Sequence, residues 1–447
     1  MVVRSVSDIF LTFDWIFRRT LIGPVRPCDF KLPAQSRSQK ALFFRVKYSG
    51  PGRLCTRKQP IAAQQIGTRL LLAIGLALAP ICRSAEAAGA NIEIGYIGAT
   101  AAPSFDGAVQ AIDDDNTTGN FTGQHFALKD RRGTLDGGLA DILHGLRQSG
   151  IRLILADLPA AALLALADLP EAQDTTIFNL QAMEDSLRGA DCRANILHTA
   201  PSLAMLADGL AQYLVLKRWT NIFLVVGPSL ADRDYAAAIR AAIAKFRLHL
   251  VAEKPWTYQP GAKLTDSGHF STIAQIAEFT QGVHYDVLIV ADRIGAFGDS
   301  LSYTTTEPRP VAGTQGLVPS AWTPVHGEWG AVQLQNRFRH HFGRPMGEQD
   351  YAAWLAVRAI GEAATRVASA DPAMIAGYLR SDAFALPGYK GEPLSFRPWD
   401  GQLRQAILLA DTVALVSVSP QTGFLHPLTD LDSLGADRPE SQCHAQR

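Results

Sequence analysis

The chain reads as an α/β protein built of two doubly wound parallel-sheet lobes joined by a hinge of crossover segments. Three observations predict this. Short apolar runs flanked by turn residues alternate with stretches of helical periodicity from Asn91 onward, and that βα alternation places helices on both faces of a parallel sheet. The alternation restarts near Pro201, which gives a second series of the same kind. The length beyond residue 87 suits two ordinary domains or one large one.

In the first series IEIGYIGA (92–99) predicts a strand, and Asp106 to Asn116 a helix. HFALKD (125–130) is the next strand, followed by a helix in which Leu139, Ile142, Leu143 and Leu146 repeat at i, i+3, i+4 and i+7 before Gly150. IRLILADLP (151–159) predicts a strand buried on both faces, followed by an Ala/Leu helix to Ala167 and the strand TTIFNLQA (175–182).

In the second series Leu203, Leu206, Leu210 and Tyr213 line one helical face. The strand NIFLVVGPS (221–229) precedes a helix with Tyr235, Ile239, Ile243 and Phe246 on one side. LHLVAEKPW (248–256), a helix around Phe270–Gln281 and YDVLIVADR (285–293) continue the unit. Beyond Val311 come a strand, helices over 331–342 and 349–368, a short helix from Pro372, and strands near 394–397 and 405–419. The polar stretch 429–447 is expected to be a loose tail.

The N-terminal part is of another kind. Leu70–Ala79 is an apolar run preceded by Arg69 and followed by small residues at Ala85 and Ala87. That is the layout of a secretory signal peptide, so residues 70–87 predict export to the periplasm with cleavage near Ala87. A bilayer span needs about 20 apolar residues, and this run is shorter. Residues 1–69 carry 13 Lys or Arg against three Asp, without sustained periodicity. They are expected to be a basic leader, either disordered or translated from a start codon placed too early.

The balanced overall charge hides an acidic mature portion. Beyond Ala87 there are 28 basic and 38 acidic residues, a net of −10. Such a chain is a poor binder of nucleic acid or anionic lipid. Two cysteines remain there, Cys192 and Cys443. An oxidising compartment allows a disulfide between them, the alternative being a buried thiol at Cys192 and a loose one on the tail.

The chemistry of catalysis is missing. No G-x-S-x-G, H-E-x-x-H, Walker A or CxxC pattern occurs beyond Ala87, and no G-x-G-x-x-G follows the first strand. Asp113-Asp114-Asp115-Asn116 lacks the glycine and terminal glutamate of a calcium loop. The adjacent His340 and His341 cannot face one way on a helix. No catalytic residue, metal or cofactor is therefore expected. Ligands of open parallel sheets bind beyond the carboxyl ends of strands, which points to the loops 99–106, 157–161, 180–186, 227–235, 292–299 and 314–326. Within them Asp157 either faces the cleft or N-caps the following helix. Arg293 needs an anion or a carboxylate, and Asp292 is the neighbouring candidate. Tyr235, Trp322 and Trp329 could stack on a ligand, although aromatic residues at such places are more often core. His198, at a strand end, is read as a structural residue of the crossover rather than a ligand contact.

Several stretches carry a resemblance: ADLPAAALLALAD, IFNLQAMEDSLRGADCRANILHTAPSLAMLADGLAQYLVLKRW and LSFRPWDGQLRQAILLA. With the element order, they make residues 91–428 resemble the type I periplasmic binding proteins, the branched-chain amino-acid-binding group of ABC-transporter receptors. Within it the likeness is to a subgroup encoded with PQQ-dependent alcohol dehydrogenase systems. The resemblance implies a receptor, not an enzyme, whose lobes close over a small solute and present it to a membrane permease. A ligand sensor acting on a signalling partner is the alternative. It also implies lobe 1 from 91–200 with 322–370, and lobe 2 from 201–321 with 371–428. In amino-acid-binding members hydroxyl residues after the third and fourth strands hold the carboxylate, and a second-lobe acid holds the ammonium. Here those loops read Ala156-Asp157-Leu158 and Leu180-Gln181-Ala182, Tyr235 matches the family tyrosine, and Thr314-Gln315 stands near the acidic position. The expected contacts are Thr100, Asp157, Leu158, Gln181, Ala182, Tyr235, Arg293 and Gln315, around a solute other than a standard α-amino acid.

Overall fold

The computed structural model describes residues 90–133, 138–256, 276–302 and 304–444, all within the compact unit Ile81–Arg447. The leader, the signal-peptide run and the first half (270–275) of the helix expected around Phe270–Gln281 lie outside the described residues, while 276–280 are helical.

The first sheet holds β1 (Ala90–Gly98), β2 (Gln124–Arg132), β3 (Leu153–Asp157), β4 (Thr176–Asn179) and β5 (Ile196–His198), parallel in the order β2-β1-β3-β4-β5. β3 and β4 are buried along their whole length, as strands covered by helices on both faces must be. Between the strands run α1 (Phe105–Thr122), α2 (Leu139–Gln148) and α3 (Ala160–Ala167).

The chain then crosses to α4 (Leu203–Lys217), β6 (Asn221–Val226), α5 (Leu230–Lys245), β7 (His249–Pro255), β8 (Val287–Ala291) and β9 (Val311–Gly313). These strands form a second parallel sheet in the order β7-β6-β8-β9. Local chemistry fixes the helix starts. The Ser202 side chain accepts from the Met205 N–H ahead of α4. Ser229 and Asp232 exchange side-chain and backbone bonds as a capping box ahead of α5.

After β10 (Val318–Ser320) come α6 (Ala331–Phe342), α7 (Glu348–Val367) and α8 (Pro372–Leu379). β11 (Leu386–Pro387), β12 (Pro393–Phe396) and β13 (Leu403–Arg404) make a small antiparallel sheet. β14 (Ile407–Ala410) and β15 (Leu415–Ser419) form a hairpin beside β10. α7 packs on α1 at the closest range a backbone allows. A Cβ on Gly107 would sit 1.9 Å from the Asp350 carbonyl oxygen, so this crossing excludes any larger residue.

Four apolar clusters fill the layers. One face of the first sheet packs on α1, α6 and α7, and the other on α2 and α3. The second sheet is covered by α4 and α5 on one side, and by Trp256, Ile276, Tyr285 and Phe297 on the other. Among the described residues the backbone passes between the two lobes at 198–203, 318–322 and 403–407. Segment 371–403 was expected with the second lobe. Instead Ile375, Leu379, Phe384, Leu394 and Phe396 join the core of the first, because α8 and the β11–β13 sheet bury their apolar faces against α7 and the first sheet.

The described part of the tail, residues 429–444, is not loose. Leu431 and Leu434 are buried, Asp432 accepts from Arg397 Nε at 2.9 Å and from Arg404 Nε at 2.8 Å, and Cys443 is bonded to Cys192. The apolar pair three residues apart and one buried carboxylate dock the segment, which its polar composition concealed.

Candidate functional site

The carboxyl ends of both sheets open on one cleft, as the topology requires. Its cavity, about 210 Å³, is walled on the first lobe by Pro159 and by Gln181, Ala182, Met183 and Glu184 after β4. The second lobe supplies Ala231 and Asp234 from the first turns of α5 and Arg293 after β8. Leu203 and Gln349 close it.

The loop after β4 is held rigidly from beneath. Asn179 Oδ1 accepts from the N–H groups of Gln181 (3.2 Å) and Ala182 (2.9 Å), and its Nδ2 donates to the Ala182 carbonyl at 2.7 Å. His198 Nδ1 lies 2.9 Å from Asn179 Nδ2. Burial, and then the charge of Arg188, pull His198 well below the usual histidine range. It is a neutral structural group. Arg188 donates to the carbonyls of Ala182 (2.9 Å) and Glu184 (3.2 Å), to the Ala200 carbonyl and to Gln402 Oε1. Its partners are all neutral, and burial lowers its pKa to about 10. One guanidinium thus ties the cleft loop to the first and third crossings.

Around this scaffold stand polar groups without a full set of partners among the described residues. Glu184 Oε2 is buried and accepts from none of them. The Arg293 guanidinium reaches across the cleft to Met183 Sδ at 3.1 Å, with no carboxylate within ion-pair distance among the described residues. Asp292 is not its partner, because that carboxylate accepts from the N–H groups of Ala296, Phe297 and Gly298. Asp232 accepts the Arg293 backbone N–H at 2.6 Å, which fixes where the side chain starts. Tyr235 is 2% exposed, and its hydroxyl has no hydrogen-bond partner. Burial raises its pKa, with Arg293 opposing and Glu348 reinforcing, so both charges lie within its electrostatic reach.

Of the expected contacts, Gln181, Ala182 and Arg293 line the cavity. The others sit elsewhere. Asp157 is 6% exposed and turned inward, accepting from Ser104 Oγ at 2.6 Å and Tyr96 Oη at 3.1 Å. It does not cap α3 either, whose N-cap is Pro159. Leu158 is fully buried among the residues under α2 and α3, since the alternation along the strand end turns it to that core. Thr100 is exposed on the loop after β1 and is not among the cavity's lining residues. Gln315 lies over Gly298, whose added Cβ would meet Gln315 Cγ at 2.4 Å, away from the cavity wall. Trp322 stacks on Tyr351 at 4.4 Å in the core. The sequence reading missed Glu184, Asp234 and Gln349. The first two fall inside loops named by the strand-end rule, and Gln349 comes from the first turn of α7. No group of three or more His, Cys, Asp or Glu able to hold a metal occurs among the described residues, and no described helix is long and apolar enough to cross a membrane.

A family model described as "Periplasmic binding protein" matches residues 93–278. No curated protein matches the chain. Among solved structures, a branched-chain amino acid ABC transporter periplasmic ligand-binding protein from Burkholderia xenovorans is 14% identical. That match covers 80% of this chain and 100% of that one, with a TM-score of 0.63. An ABC transporter substrate-binding protein from Desulfitobacterium hafniense, in complex with Leu, is 16% identical over 73% of this chain and 99% of that one (TM-score 0.57). A solute-binding protein of R. palustris in complex with benzoate is 10% identical over 79% and 99% (TM-score 0.55). The fold is that of the type I periplasmic binding proteins.

Proposed function

We propose that this chain is the solute-capturing component of an ABC importer, working in the periplasm by closure of its two lobes and delivering its solute to a permease. The observation that carries the reading is one small cavity between the lobes, lined by Glu184, whose buried carboxylate oxygen has no hydrogen-bond partner among the described residues, and by Arg293, whose guanidinium meets only the Met183 thioether. A buried polar group without a partner costs free energy that a ligand can restore. A solute that touches both lobes also stabilises the closed state by its differential affinity. The signal-peptide pattern at 70–87 and the family match support export.

The cavity also restricts the solute. At about 210 Å³ it is smaller than the sites that hold drug-sized ligands, roughly 300–1,000 Å³. Glu184 calls for a hydrogen-bond donor at the first-lobe end, and Arg293 for an acceptor or anion at the second-lobe end. That is the reverse of the polarity expected for amino-acid-binding members, and the hydroxyl of Ser104 is already engaged by Asp157. Both points favour a solute other than a standard α-amino acid. The subgroup resemblance points to small products of alcohol oxidation. The match to a periplasmic binding protein family supports capture without turnover.

The experiment is a thermal-shift screen of the exported protein against alcohols, aldehydes, carboxylic acids, amines and amino acids, followed by calorimetry on any stabilising solute. Arg293→Ala and Glu184→Gln should each weaken binding by ~10–100-fold, the range of a charge-assisted hydrogen bond of about 1.5–3 kcal/mol. Affinity unchanged in both variants would remove the cleft from the function.

A further inference from the structure

We infer that the C-terminal segment is a fourth connection between the lobes, a covalent strap that restricts how far they turn against each other. The inference rests on the two-lobed closure reading but on no particular solute.

The segment is anchored at both ends. On the second lobe Leu434 is fully buried in the core under α4 and α5. Beside it Asp208 of α4 accepts the Gly435 N–H at 2.8 Å, and Lys245 of α5 donates to the Gly435 carbonyl at 2.9 Å. On the first lobe Cys443 is bonded to Cys192. Cys192 belongs there firmly, because the next residue, Arg193, is paired with Asp168 at the end of α3. The strap is therefore 436–442, which from Gly435 to Cys443 reaches at most ~28 Å when fully extended at ~3.5 Å per residue, and along it Glu440 pairs with Lys245 of α5 at 3.6 Å.

The three backbone crossings let the lobes turn, since a few residues there absorb the change in dihedral angles. The contacts of Asp432 with Arg397 and Arg404 adjoin the third crossing, and so turn with it. Cys192 is different, because it lies ahead of β5 and off the first crossing. Bonding it to a segment seated on the second lobe removes a range of lobe orientations from the unliganded ensemble.

The test measures the distance between the far ends of the lobes by single-molecule energy transfer. Labels are placed at Phe121 and His249, both exposed, through an azide-bearing amino acid that leaves the cysteines intact. The oxidised exported protein is compared with the same protein after phosphine reduction, the freed thiols being confirmed by alkylation and mass, and with Cys443→Ser. Reduction and Cys443→Ser should both broaden the distribution of distances, with the far-ultraviolet circular dichroism unchanged. Should Cys443→Ser fail to fold, reduction of the folded wild type carries the test alone. A distribution already broad in the oxidised protein and unmoved by reduction overturns the strap while leaving the hinge intact. A single narrow distribution in both states overturns the strap and the hinge together.

Discussion

The ends of β3 and β8 look alike in sequence and do opposite things in the structure. Each is a fully buried apolar strand followed by a charged group, Asp157 in one and Arg293 just beyond the other. Asp157 lies in register with Gly98 of the neighbouring strand, close enough for Tyr96 and for Ser104 ahead of α1 to satisfy its carboxylate. Arg293 finds only a thioether across the cleft. A charge at a strand end serves the fold where neighbouring elements bring it partners; where they do not, as at Arg293, it stays at the cavity wall without a counter-charge.

The largest effect expected from this contrast is on stability. Asp157→Ala removes the shared acceptor of two buried hydroxyls and should cost about 3 kcal/mol, the combined scale of breaking such a buried polar network. Urea unfolding of the protein measures it. Arg293→Ala, by contrast, should stay within ~0.5 kcal/mol of wild type, as surface changes usually do. A loss below about 1 kcal/mol for Asp157→Ala, or an equal loss for both, would erase the difference between the two strand ends.

The contrast also shows where sequence reasoning stops. Periodicity marked the long elements well: α6 runs over the expected 331–342, and α7 differs from expectation by one residue at each end, where Gly347 and Ala368 cap it. β10, β11 and β13, two or three residues long, leave no alternation to read. The pattern of Leu394 and Phe396 announces a strand, but not which core it joins. The strand-end rule found the loops of the cleft from topology alone. It could not say that Asp157 would be consumed by Tyr96 and Ser104, 61 and 53 residues away, because side-chain partnership is a property of packing and not of the local chain.

A second buried charge sharpens the comparison, with a smaller effect. Lys390 is 2% exposed and donates to Gln405 Oε1 and the Ala406 carbonyl at 2.8 and 2.9 Å. Those neutral acceptors do not offset burial, which pulls its pKa down to about 7, with Glu348 opposing. The unfolded chain holds this proton up to about pH 10.4. Between these values the unfolded state binds more protons than the native one, so stability rises with pH. From pH 7 to 9 the gain from this residue should be about 2 kcal/mol. Urea unfolding at both pH values checks it, with Lys390→Met as the control that loses the slope. A wild-type slope matched by Lys390→Met would mean that Lys390 stays charged.

Tyr235 carries the smallest stability change and the clearest sign. Its hydroxyl is buried and unpaired, so Tyr235→Phe deletes a group that already bears its desolvation cost. Stability should hold or rise by up to ~1 kcal/mol. If the hydroxyl completes its hydrogen bonding only when a solute enters, the same change must weaken solute binding, by ~5–10-fold for a bond of about 1–1.5 kcal/mol. A structural tyrosine behaves otherwise: replacing it lowers stability and leaves affinity alone. Thermal unfolding with and without a stabilising solute reads both quantities at once, because the solute-induced shift shrinks while the unliganded midpoint does not fall. A lower midpoint with an undiminished shift would put Tyr235 with Asp157, among the groups that serve the fold.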